Sequence, residues 1–249
     1  MTMKNEYISR RIDACGTVVF SKNDSSKTHL DIAGRFIKDL FTSFIRRCIP
    51  SFDNEYGYVQ MPYLFSERQL DSVLLPALYD LCDGHVIAEL PVVRYDADGA
   101  ESHGRIDYWC MYDGYSMYIE VKHVYQTMKA IGFVDNDGRL QKCWDTMNGY
   151  QMRSLSDELK HSYEKRKGII RLALEFVALK DGSTFKEEEC GMEGVPLSDL
   201  DTLSSMVSPS PTHVAAWYVG KDIAEAAAEH QGKFCPVLAV LAKSYPTLK

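Results

Sequence analysis

The sequence predicts an α/β fold in which a mixed central sheet is flanked by helices. Three observations carry that expectation. Apolar residues recur on a helical period through residues 28–48 and again through 66–81. Three strand-like segments then follow in close succession, two of them separated by Asp113-Gly114, a strong hairpin signal. After a second helical stretch comes the β-branched, apolar run Ile169 to Leu179. Helices that alternate with strands in this way read as α/β.

In Thr28 to Cys48, Leu30, Ile32, Phe36, Ile37, Leu40, Phe41, Phe44 and Ile45 form one apolar stripe, and Pro50 ends the helix. Residues 51–63 are rich in Tyr, Asn, Asp and Gly and read as a loop. Ser66 with Gln69 forms a capping box, so the second helix starts there. Leu70, Val73, Leu74, Ala77, Leu78 and Leu81 continue it. Pro76 is expected to kink or shorten this helix, and Gly84 to terminate it. Strands are expected over His85–Tyr95, Arg105–Tyr112 and Ser116–Val124, and a helix in two pieces between Leu140 and Lys165. Asp181 to Thr212, with Glu187, Glu188 and Glu189, reads as a long loop. A strand (His213–Val219), an Ala-rich helix (Asp222–His230) and a last strand (Phe234–Ala242) close the chain. The organisation expected is one domain over 1–249. Its core spans 66–180, with an N-terminal helical extension over 1–65. A C-terminal extension over 181–249 carries the acidic loop.

Composition narrows the function. Hydrophobic residues make up 45% and charged residues 25% of 249, an ordinary soluble balance. No apolar run approaches the roughly 20 residues that cross a bilayer, and Met1 to Arg11 lacks a signal-peptide stretch. A cytoplasmic protein with no membrane partner is the expectation. The seven cysteines are scattered without zinc-ligand spacing and read as reduced, mostly buried thiols. A net charge of −7 argues against coating nucleic acid by bulk electrostatics, but not against one local basic groove.

The chemistry-bearing residues lie on the middle strands. Glu120 and Lys122 in Tyr118-Ile119-Glu120-Val121-Lys122 are two apart, so they project from one strand face, with Ile119 and Val121 on the other. Asp107, in Gly104-Arg105-Ile106-Asp107-Tyr108, is brought alongside by the Asp113-Gly114 turn. Two carboxylates and one ammonium on a patch of sheet suit phosphodiester hydrolysis. Mg²⁺ takes one or two carboxylates and keeps waters, and a bound water becomes acidic. A lysine can orient that water or stabilise charge in the transition state. The plain alternative is a solvated strand face for Glu120 and Lys122, and a polar residue near a strand end for Asp107. Arg105 and His123 flank the motif and read as structural. Asp135-Asn136-Asp137-Gly138 reads as a turn, and Lys160 to Lys167 as a solvated helix face or a phosphate-contact surface.

Asp107 followed by Glu120-Val121-Lys122 resembles the PD-(D/E)XK nuclease superfamily. The resemblance implies a restriction-endonuclease-like αβββαβ core. It also implies metal binding by Asp107 and Glu120 with help from the Val121 carbonyl, and a catalytic Lys122. Glu67 matches the acidic residue that members often carry on the preceding helix. The implied cofactor is Mg²⁺, with Mn²⁺ as an alternative, and the implied partner is nucleic acid, DNA foremost. Oligomeric state stays open, a homodimer included. The chain departs from the family pattern in having Ile106 where many members have Pro, and in lacking a Gln-x-x-x-Tyr signature in the following helix. The alternative function is a non-catalytic nucleic-acid-binding or interaction protein on the same fold.

Overall fold

The computed structural model describes residues 6–12, 15–22, 28–53, 58–95, 98–129, 132–134, 138–155, 167–181 and 197–245. The chain opens with strands β1 (Tyr7–Arg11) and β2 (Gly16–Ser21), then helix α1 (Thr28–Cys48). The short pair β3 (Phe52–Asp53) and β4 (Tyr58–Val59) leads to α2 (Glu67–Leu81). Next come β5 (Val86–Tyr95), β6 (Glu101–Tyr112), β7 (Tyr115–Lys129) and β8 (Gly132–Val134). Helix α3 (Arg139–Asp145) runs through a π-helical stretch (Thr146–Gln151) into α4 (Met152–Ser154). The order closes with β9 (Gly168–Asp181), α5 (Leu197–Ser205), β10 (His213–Val219), α6 (Lys221–Gln231) and β11 (Val237–Tyr245).

One mixed sheet unites the chain in the order β1-β2-β10-β11-β9-β7-β6-β5, with β8 pairing β7. The pairs are antiparallel except β7 with β9, which run parallel from Tyr115↔Gly168 to Met128↔Asp181. A parallel neighbour needs a crossover, and the helices between β7 and β9 supply it. Each face of the sheet has its own core. On one face α1, α2 and α6 pack on Ile119, Val121, Leu172, Leu174 and Phe176. On the other, Leu140, Trp144 and Met152 from α3–α4 and Leu200 and Leu203 from α5 pack on Tyr118, Ala173 and Val177. Strand β9 is buried on both sides, which explains why its sequence through Leu179 is apolar apart from Arg171 and Glu175.

Several elements follow the sequence reading closely. Helix α1 spans the expected residues, and α2 begins after Ser66, whose backbone N–H donates to Gln69 Oε1 at 3.2 Å. Pro76 neither stops nor shortens α2, because Ala77 and Leu78 beyond it are buried in the core. Gly84 does help to end it, with φ +79° and its N–H on Tyr79 O at 2.9 Å. Asp113 and Gly114 both have positive φ, as a two-residue type I′ hairpin turn requires.

Other expectations are corrected. The N-terminal segment is more than helical, since β1 and β2 join the main sheet through the pairing of β2 with β10. Residues 51–63 hold β3, β4 and a short 3₁₀ turn (Pro62–Leu64), and not only loop. The expected long loop contains α5, whose Leu200 and Leu203 are fully buried; its Ser- and Asp-rich sequence hides that apolar edge. Residues 182–196, including Glu187 to Glu189, lie outside the described residues, as do Asp135 to Asp137 and Lys160 to Arg166.

The junction of β2 with β10 depends on Gly16. Its φ is +111°, and a Cβ there would stand 1.9 Å from Tyr218 O. Gly16→Ala should therefore lower unfolding stability by at least about 2 kcal/mol, from left-handed strain plus displacement of backbone. Chemical denaturation checks this, and an unchanged midpoint would contradict the stated register.

Candidate active site

The site lies where the sheet opens. The β6–β7 ladder runs from Tyr112↔Tyr115 to Tyr108↔Ile119 and stops, whereas β7 stays paired with β9 throughout. Asp107 and Glu120 are the next residues along each strand. The Val121 N–H, which points toward β6, donates to Asp107 Oδ2 at 2.7 Å. A side chain thus takes the place of a ladder carbonyl.

A kink in the neighbouring strand accompanies the opening. The β5–β6 ladder pairs Ala88↔Tyr108 and Leu90↔Ile106 but skips Glu89 and Asp107 between them. Glu89 has φ +52°, an unusual value for a residue with a Cβ. Across this point the facing pattern inverts. Tyr108 packs in the α1–α2 core and Ile106, two residues away, in the α3–α4 core. Sequence alternation could not foresee the inversion.

On β7 the alternation holds. Ile119 and Val121 face the α1–α2 core, while Tyr118 and Val124 bracket Glu120 and Lys122 on the α3–α4 face. Glu120 is 1% exposed. Lys122 Nζ reaches the first turn of α2 and donates to Glu67 Oε1 at 2.9 Å, and to Val121 O at 3.0 Å. Asp107, Glu120, Lys122, Glu67 and the Val121 carbonyl, all expected from sequence, are therefore neighbours. Arg105 and His123 stand apart. The exposed Arg105 pairs with Glu89 at 3.4 Å. His123 lies edge-on to Tyr125 on the opposite face, with ring centroids 5.0 Å apart. Burial pushes its imidazole down to about 4, against the Tyr63 carbonyl contact, so it is neutral.

Three further residues belong here that sequence reasoning missed. Arg94, on β5, is 4% exposed, and its Nη2 donates to Glu120 Oε1 at 2.6 Å. Glu175, fully buried on β9, is the register partner of Lys122. It was visible as the one acid inside the apolar run Ile169–Leu179, and a charge in such a strand is rarely without purpose. Cys143 of α3 lies within the fields of Glu175, Lys122, Glu67 and Arg139, and burial raises its thiol above the usual range. This places Cys143 over the Lys122 end of the site.

The electrostatics follow from burial. Asp107 and Glu120 lie within hydrogen-bonding reach of each other. Burial, then repulsion from Asp107, pushes the Glu120 carboxyl up to about 8, while the Arg94 guanidinium pulls the other way. Burial also raises Asp107, against the Val121 N–H and Lys122. For Lys122, burial works against the charged form, but Glu67, Asp107 and Glu120 outweigh it and the ammonium is strengthened. Burial and mutual repulsion thus disfavour two charges on this pair, as for close buried acids generally.

Comparison with protein-family models, with curated proteins and with solved structures finds no match. The geometry alone therefore carries the functional reading. Among the described residues no three His, Cys, Asp or Glu side chains converge as a closed metal site. Two adjacent carboxyls whose buried charges repel still fit a cation that keeps most of its waters, as Mg²⁺ does.

The raised Glu120 carboxyl fixes a pH dependence. Its folded value lies above its ordinary one of 4.5, so its contribution to stability is complete below about 4.5 and is lost as pH rises to about 8. Glu120→Gln, permanently neutral, should unfold at a temperature that depends less on pH between 5 and 9 in the presence of a chelator. The stability difference between the two proteins should shift in the variant's favour toward the alkaline end. Parallel curves for the two proteins would place the proton elsewhere.

Proposed function

We propose that this protein is a metal-dependent nuclease that hydrolyses phosphodiester bonds, with DNA as its substrate. The observation that carries the reading is the meeting of Asp107, Glu120 and Lys122 where β6 and β7 part, with Glu67 hydrogen-bonded to Lys122. The element order supports it. α2, β5, β6, β7, α3–α4 and β9 follow the αβββαβ sequence, antiparallel over the first three strands and parallel for the last pair. That order is the one expected of a restriction-endonuclease-like core.

Asp107 and Glu120 would hold Mg²⁺ or Mn²⁺, beside the Val121 carbonyl. When bound, the cation supplies an acidified water and positive charge for the phosphate oxygens. The chain's own residues set the rest. Lys122 stays an ammonium, so it serves as a hydrogen-bond donor and a fixed charge and not as a general base. Its side chain is 21% exposed and can meet a phosphate oxygen or a water at the mouth of the opening. The Glu67 carboxylate and the Val121 carbonyl hold that ammonium in place.

One observation favours a second reading, a non-catalytic nucleic-acid-binding protein on this fold. The Arg94 guanidinium already compensates Glu120 from within the protein. A cleavage assay with Mg²⁺ and Mn²⁺ on single- and double-stranded DNA and RNA separates the two. Wild type should cleave only with cation. Lys122→Ala should bind cation in calorimetry yet lose about 10²–10³ in turnover, the usual cost of removing one electrostatic donor. Glu120→Gln should lose both cation binding and cleavage. Cation-independent nucleic-acid binding without cleavage would establish the second reading instead.

A further inference from the structure

Arg94 makes four hydrogen bonds while almost entirely buried. Nη1 donates to Gln151 O at 2.8 Å and Ser154 Oγ at 3.2 Å, and Nη2 donates to Arg105 O and Glu120 Oε1, both at 2.6 Å. The guanidinium is fixed at one end by the π-helical stretch and α4 and at the other by β6. It reaches Glu120 by crossing Gly104, where a Cβ would stand 2.5 Å from Arg94 Nε and 2.8 Å from Cδ. The bare backbone at Gly104 is the channel the arginine uses.

We propose that Arg94 is a positioning residue that sets the cation selectivity of the site: by occupying Glu120 Oε1 it makes Glu120 a one-oxygen ligand. The inference rests on the nuclease reading and extends it to the choice of metal. Mg²⁺ and Mn²⁺ sit well among single carboxylate oxygens and waters in a small octahedral shell. Ca²⁺ gains by taking both oxygens of a carboxylate in a larger, looser one. A guanidinium held by three other acceptors cannot step aside cheaply, so its fixed positive charge disfavours a cation on the second oxygen. The same contact keeps the Glu120 side chain in one rotamer, as partners behind a metal ligand do elsewhere.

The test is calorimetric titration of the full chain with Mg²⁺, Mn²⁺ and Ca²⁺, alongside thermal unfolding with and without each cation. Arg94→Gln frees Oε1, and the affinity for Ca²⁺ relative to Mg²⁺ should rise about tenfold, within the range by which outer partners tune metal sites. Because this variant also strips partners from Gln151 and Arg105, Gly104→Ala provides a second route. It pushes the arginine away without altering any charge and should shift the ratio in the same direction. Arg105→Ala removes an exposed cation from the same strand and should leave the ratio unchanged, which separates the clamp from bulk electrostatics. If wild type binds cations and Arg94→Gln and Gly104→Ala, both folded, keep its Ca²⁺-to-Mg²⁺ ratio, the proposal is overturned while the nuclease reading stands. If Arg94→Gln does not fold, Gly104→Ala alone decides. If wild type binds none of the three cations, the nuclease reading fails and the proposal fails with it.

Discussion

A carboxylate sealed inside a sheet is the constraint around which the rest is arranged. Glu120 is fully buried on a strand flanked by partners, and an unpaired charge there would be costly enough to unfold the chain or to stay protonated. Two compensations are present. Arg94 supplies an opposite charge at 2.6 Å, and burial beside Asp107 raises the Glu120 carboxyl so that its neutral form is favoured. Arg94 in turn must have its remaining donors satisfied. It finds them in the carbonyls of Arg105 and Gln151 and the hydroxyl of Ser154. One buried carboxylate thus dictates a glycine at 104, an arginine at 94 and the placement of the helix end that follows the π-helical stretch.

That helix end shows the same logic. A helix leaves its last carbonyls without partners. Here two buried arginines take them: Arg94 on Gln151 O and Arg171 on Met152 O. Arg171 also lies over the Tyr245 ring, 5.4 Å from its centroid, and Tyr245 OH donates to Asn148 Oδ1 at 2.7 Å within the π-helical stretch. The covering helix is consequently tied to β5, β9 and β11 at once. These ties fix the end of the covering helix against the sheet beside Glu120.

Much of this was legible in the sequence where local rules decide the outcome. The period of α1, the Ser66–Gln69 box and the Asp113-Gly114 turn each report a short-range preference, and each element forms where it should. The pairing of Glu120 with Lys122 needed only strand alternation, and Asp107 needed only the turn. What was hidden depends on contacts distant in sequence. Arg94 looks like any polar residue on an edge strand until β5 is seen to kink at Glu89 and send it inward across Gly104. The strands β1 and β2 joined the sheet because β10 offered an edge, a pairing that no property of residues 7–21 announces. Helix α5 escaped notice because its polar positions outnumber the two leucines that anchor it.

The two acids nearest Lys122 and Arg94 differ in a way that bears on how a cation could enter. Glu67 is held by one ammonium, and its side chain is 43% exposed. This part-buried contact is less enclosed than the Arg94–Glu120 pair, so Glu67 can exchange its partner for a water or a cation more readily than Glu120 can. Glu120 is different: breaking a buried pair by removing one member costs about 3–5 kcal/mol, since the other charge is left stranded. Rearrangement on loading should therefore fall on Glu67 and Lys122 at the mouth, while Glu120 and Arg94 keep their contact behind it. A rigid rear wall and an adjustable front follow directly from the difference in burial. On this basis Glu67 acts first as the residue that holds Lys122; if the proposed cation binds, Glu67 would reach it only by releasing the lysine, whose ammonium would then be free to turn toward a phosphate.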